Sequence, residues 1–176
     1  HSIEQALQQL DLAEQSASTS DERQQILTER IKTLIVAGQL AEQTNRLAAE
    51  LNARNDATAE RWRTLALYQD AGDRLNEATT SAAKVVELEP QSISGWSILA
   101  DLSERTGRLG DAVTATRKLV SLDRRGISAY LRKIARYEIR LGQLEGALQT
   151  GRDVIKATPG DPEAYQFFAD LAFEAG

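Results

Sequence analysis

Arg132, Arg136 and Arg140 stand four residues apart, with Lys133 beside the first. On a helix that spacing places the three guanidinium groups in one stripe. Such a stripe could grip an acidic peptide or a chain-terminal carboxylate through paired N–H donors. The competing reading is an internal ladder, because Asp101 and Glu104 precede the stripe and Asp170 and Glu174 follow it. Exposed pairs of that kind contribute only about 0–1 kcal/mol each. Arg124 and Arg125, with Tyr130 and Tyr137 interleaved, also have the makings of a basic–aromatic surface for single strands. The chain as a whole is acidic, at net charge −5, so nucleic acid is disfavoured as a partner.

Other chemistry is poorly supplied. The one histidine is His1 and there is no cysteine, which leaves no triad, thiolate or zinc–cysteine cluster to assemble. The 26 acidic residues fall mostly on the solvent positions of amphipathic helices, where they keep the surface charged. No phosphate-binding glycine loop or calcium-loop spacing occurs, and Gly107 with Gly110 fits a helix–helix turn. We therefore expect a non-enzyme without cofactor or metal.

The elements that must position the arginines are helices. Ala, Leu, Gln, Glu and Arg dominate, only three prolines occur, and no run alternates with period two. No apolar stretch approaches the ~18 residues needed to span a bilayer, and no basic start with an apolar core marks a secretory leader. A soluble protein is expected; the absence of cysteine fits cytoplasm or periplasm, and the cytoplasm is slightly favoured. The chain lacks methionine and begins His-Ser inside a helical pattern. We expect a piece of a longer protein, with His1 and Ser2 left from a tag.

A period of 34 or 35 residues runs through the chain. Trp62 returns as Trp96; Ala66 returns as Ala100, Ala135 and Ala169; Gly38, Gly72, Gly107, Gly142 and Gly176 mark the turns. A repeat of that length is the signature of stacked helical hairpins. The small alanines, with Ala78, Ala112 and Ala147, sit where two helices approach closely and a larger side chain would wedge them apart. Trp62 and Trp96 lie on the packing stripe, so core is the better reading for them than ligand stacking. Tyr68, Leu102 and Tyr137 fall on the same stripe. Asp21 with Gln24 offers a capping box for the helix that runs to about Ala37. Thr58 caps the helix carrying Trp62, and Asp161-Pro162 starts the last one.

These landmarks resemble the tetratricopeptide repeat family, well from Ala59 to Gly176 and less well before. The resemblance implies an all-α α-solenoid, a right-handed superhelix of antiparallel helix hairpins. Its expected divisions are residues 1–20, the second helix of a truncated repeat plus linker; 21–58, a degenerate repeat; 59–92, 93–127 and 128–161, three full repeats; and 162–176, half of another. The aromatic usual midway along the first helix is replaced by Gln69, Ser103, Glu138 and Ala172, and one in the second helix by Ala82, Thr116 and Gly151.

First helices line the concave groove in that family. By register the groove candidates are Arg63, Ser97, Asp101, Glu104, Arg132, Lys133, Arg136 and Arg140. The implied function is protein–protein interaction, with a peptide or partner protein, acidic at the arginines, held along the groove. The alternative is a regulatory or substrate-recruiting arm of an enzyme whose catalytic domain lies elsewhere. Some members clamp chaperone tails with Lys and Asn, but the matching asparagine places here hold Leu67 or Asp101, and Ile98, which argues against that ligand. Half repeats at both ends would leave apolar faces open to self-association.

Overall fold

Apolar residues at helical spacing condense into ten α-helices in the computed structural model, which describes residues 3–53 and 57–175. They are α1 Ile3–Ser16, α2 Ser20–Val36, α3 Leu40–Ala53, α4 Ala59–Ala71 and α5 Leu75–Leu88, followed by α6 Ile93–Arg105, α7 Leu109–Leu122, α8 Ile127–Arg140, α9 Leu144–Ala157 and α10 Pro162–Ala175. No strand occurs among the described residues. The expectations placed on His1, Ser2 and Gly176 lie outside the described residues. Two compact units emerge, residues 1–81 and 82–176, divided within α5.

Each tight turn follows one chemical plan. The amide two residues past the helix cap donates back five residues: Gln39 to the Leu34 carbonyl at 2.9 Å, and Arg74 to Gln69, Arg108 to Ser103 and Gln143 to Glu138 at 2.8 Å. That closure needs a left-handed residue just before the donor. Gly38, Gly107 and Gly142 supply it with φ of 67°, 74° and 72°. In the remaining turn the left-handed residue is Asp73, at φ 58°, while Gly72 caps the helix at φ −90°. The glycine of the sequence series thus stands one place early there, and an aspartate carries the strain.

The starts of α2, α4, α6 and α10 use side chains, whereas α8 begins at Gly126 without a side-chain cap. Thr19, not Asp21, caps α2: its hydroxyl accepts from the Glu22 amide at 3.1 Å, and the Glu22 carboxylate accepts from the Ser18 and Thr19 amides. The expected Asp21–Gln24 box is therefore replaced by Thr19–Glu22, because a threonine hydroxyl and a glutamate three places on satisfy two orphan amides at once. Thr58 and Ser92 cap α4 and α6 in the simpler way. Pro162 opens α10, and the Asp161 carboxylate accepts from the Glu163 amide at 3.0 Å.

In unit 82–176 the helices form hairpins: α6 packs on α7 and α8 on α9, while α7 also meets α8 and α9 meets α10. Ala112, Ala135 and Ala147 are fully buried at the close approaches. Trp96 is half-buried against Ala100, Ala115 and Leu119, with its indole N–H donated to the Pro90 carbonyl at 2.9 Å. In α10 the buried face is Ala164, Phe167 and Leu171, whereas Tyr165 and Ala169 are exposed. The expected packing role of Ala169 thus fails. Its face is the one that elsewhere meets a hairpin's own second helix, and no described helix follows α10. In unit 1–81, Leu34, Leu40 and Tyr68 form a core with Leu7, Leu27, Ile31 and Leu47 around it. There α2 touches α3 and α4 far less than α6 touches α7.

Candidate functional site

Helix α8 carries Arg132, Lys133, Arg136 and Arg140 against a single acidic residue, Glu138. Glu138 is buried and spoken for: one carboxylate oxygen accepts from the Thr150 hydroxyl at 2.7 Å, the other from Arg117 at 2.6 Å. The charge on the solvent side of α8 is therefore all cationic.

The stripe divides when it meets its neighbours. Arg132 lies over the Phe167 ring of α10 at 5.1 Å and reaches the Asp161 carboxylate at 3.4 Å. Arg136, one turn on, lies over the same ring at 5.7 Å. Two guanidinium groups over one aromatic ring gain from its quadrupole while keeping N–H donors toward water. Arg140 turns the other way and pairs with Glu104 of α6 at 3.7 Å. Glu104 also accepts a 2.5 Å hydrogen bond from the Tyr137 hydroxyl. Burial, reinforced by that carboxylate, pushes the Tyr137 phenol well up, so it stays a donor. Lys133 is exposed.

The proposed ladder therefore forms on one side only. Glu104 pairs with Arg140 as internal pairing requires, but Asp101 pairs with Arg105 of its own helix at 3.4 Å. Beyond α8 the partners are Phe167 and Asp161, not Asp170 and Glu174; Asp170 accepts from Gln166 at 2.8 Å. Ser97 is exposed on α6 with no part in the arginine contacts. Arg63 lies half-buried on α4 in the other unit. Phe167 was not legible as a site residue. Its neighbour Phe168 occupies the repeat's stripe position, and only the burial of the Ala164 face brings Phe167 under the arginines.

Tyr130, the other half of the basic–aromatic pattern, donates its hydroxyl to Asp123 at 2.8 Å. That bond and the Arg125 amide hold the Asp123 carboxyl below its ordinary range. Tyr137 is buried. The Tyr137 ring is thus closed to a base, while Tyr130 is half-buried. Among the described residues no group of three or more His, Cys, Asp or Glu side chains could hold a metal ion. None of the described helices is long and apolar enough to cross a membrane.

No family model and no curated protein sequence matches the chain. Solved structures do. A crystal structure of MamA protein aligns with TM-score 0.61 at 18% identity, over 85% of this chain and 81% of that one. YrrB, described as a TPR protein with an unusual peptide-binding site, aligns with TM-score 0.59 at 16% identity, over 93% and 82%. The first TPR of Spaghetti (RPAP3), bound to the HSP90 peptide SRMEEVD, gives TM-score 0.51 at 16% identity, over 66% and 91%. The chain has the tetratricopeptide repeat fold. At these identities the likeness is one of fold, and the TPR hairpins seen in α6–α7 and α8–α9 are its substance. The midway residues Gln69, Ser103 and Glu138 are buried despite their polarity. So the departures from the TPR pattern are accommodated inside the hairpins.

Proposed function

We propose that this TPR protein is a non-catalytic interaction scaffold whose α8 face takes an acidic stretch of a partner protein. The observation that carries it is the pair Arg132 and Arg136 laid over Phe167 with Lys133 beside them. Arg136 has no carboxylate partner among the described residues, and Arg132 has one only at 3.4 Å. An arginine held on a ring has already lost much of its side-chain freedom, so binding costs it less. The RPAP3 peptide, with two glutamates and an aspartate, illustrates the class of ligand on the same fold.

The test is fluorescence anisotropy with a labelled hexaglutamate peptide. Arg132→Ala/Arg136→Ala removes two charge-assisted contacts of about 1.5–3 kcal/mol each. Affinity should fall at least tenfold, and wild-type affinity should fall with added salt. Unchanged affinity, with only a shifted melting temperature, would mean that these arginines serve packing alone.

A further inference from the structure

A second site lies in unit 1–81, independent of α8. Four positions of its α2–α3 pair depart from the repeat in a concerted way. Arg30, Ile31, Gln43 and Glu50 stand 35 residues before Leu65, Ala66, Ala78 and Val85. Those four are buried to 1% exposure or less. Two alanines that let helices touch have become isoleucine and glutamine, and two apolar core residues have become charged. Side chains of that size and polarity cannot close the same seam. The seam is open: α1, α2, α3 and α4 surround a half-open cavity of about 320 Å³.

Its chemistry is specific. Arg30, Arg46 and Arg61 line it together with Gln43 and Tyr68, over an apolar floor of Leu27 and Leu47. Arg30 pairs with Asp11 at 2.6 Å and with Glu14, which also lines the cavity, at 2.8 Å. Arg46 and Arg61 converge on one carboxylate, Glu50, through Nε at 3.2 Å and a terminal nitrogen at 2.7 Å. These bonds, that of Arg46 first, hold the Glu50 carboxyl below its ordinary range. Each guanidinium has five N–H donors, and its bond to Glu50 uses one of them.

We propose that this cavity binds a small carboxylate, which displaces Glu50 from Arg46 and Arg61. Glu50 marks the position of the ligand group, because an internal carboxylate already sits between the two arginines. The volume suits one short acid or one acidic side chain, at the lower end of the range for ligand sites. The carboxylate could arrive free or on a peptide.

The test is an amide NMR titration of the ¹⁵N-labelled full chain with three probes: glutarate, inorganic phosphate and an acetyl-glutamate amide peptide. Shifts should be confined to residues lining the cavity. Glu50→Gln should tighten glutarate binding about tenfold by freeing both arginines, and Arg61→Gln should weaken it at least tenfold. Glu50→Gln conserves volume, Arg61→Gln shortens a partly exposed side chain, and thermal melts confirm that both variants fold. Binding of the peptide without glutarate would assign the carboxylate to a protein partner; binding of glutarate assigns it to a free acid. Phosphate binding as tight as that of glutarate, equal affinity in all three proteins, or no shift at all would each overturn the proposal.

Discussion

The Glu138–Thr150 pair allows a quantitative test of how this fold tolerates polarity in its hairpins. Thr150 donates to Glu138 at 2.7 Å inside the α8–α9 hairpin, and both residues are at least 96% buried, with exposures of 4% and 3%. Thr150→Val keeps the shape and removes the donor, leaving a carboxylate oxygen without its partner. A hydrogen bond to a charged group contributes about 1.5–3 kcal/mol. For a chain of this size that corresponds to a fall in melting temperature of roughly 3–12 °C. The double variant Glu138→Leu/Thr150→Val should recover most of the loss, because an apolar pair of similar volume strands no polar atom. Position 138 accepts leucine by example: Leu34 holds the equivalent place before the first tight turn and is 2% exposed. Arg117 then loses its partner, but its side chain is 56% exposed, so the cost is that of a surface pair. Urea melts followed by circular dichroism would measure both variants. A double variant less stable than Thr150→Val alone would refute the reasoning and show that the carboxylate itself holds the hairpin.

Two further perturbations address local structure. Asp73→Gly relieves a left-handed aspartate at φ 58° and should raise stability by about 0.5–1 kcal/mol, whereas Gly107→Ala at φ 74° should lower it by about 1–2 kcal/mol; equal effects in thermal melts would count against the turn assignment. Glu22 is held below its ordinary value of 4.5 by the Ser18 amide first and the Thr19 amide second. A depressed carboxyl stabilises the folded form above its unfolded pKa, and that contribution is lost as pH falls through the folded value. The Ser18 and Thr19 amides should therefore lose their hydrogen-bonded shifts on acidification, and Glu22→Gln should abolish that titration. A parallel titration in both proteins would rule out the cap as its source.

What the sequence made legible was whatever repeats. The alanines at 66, 100 and 135, the left-handed glycines at 38, 107 and 142, and the stripe of Tyr68, Leu102 and Tyr137 each recur because each hairpin solves the same packing problem. Single events were harder to read. Thr19 and Asp21 are both competent caps by type, and the choice depends on where α2 begins, which is set by the Glu22 bond back to Ser18 and Thr19. Phe167 and Phe168 are neighbours of one type, and which one lies under the arginines depends on how α10 is rotated against α8 and α9. Asp73 takes the glycine's conformation because aspartate tolerates it better than most side chains, whereas the glycine series falls one place away, at Gly72.

The same logic explains where function is to be sought in a repeat protein. A position that obeys the repeat is explained by packing; one that departs from it must be explained by something else. Gln69, Ser103 and Glu138 depart singly: Gln69 accepts from Ser81 at 2.7 Å and Glu138 from Thr150, so the hairpins absorb them. Among the described residues Ser103 has no hydrogen-bond partner for its hydroxyl, and Ala115 stands opposite where Ser81 and Thr150 do elsewhere. That repeat has kept half of a polar pair and still closes. Arg30, Ile31, Gln43 and Glu50 depart together, and their hairpin does not close. Drift would scatter such changes around the helices, but Arg30, Gln43 and Glu50 line one cavity in which two arginines meet on one carboxylate, and Ile31 packs in the adjoining Leu34–Leu40–Tyr68 core. The degenerate repeat, the poorest match to the pattern, is for that reason the place where a ligand can enter the layer between helices.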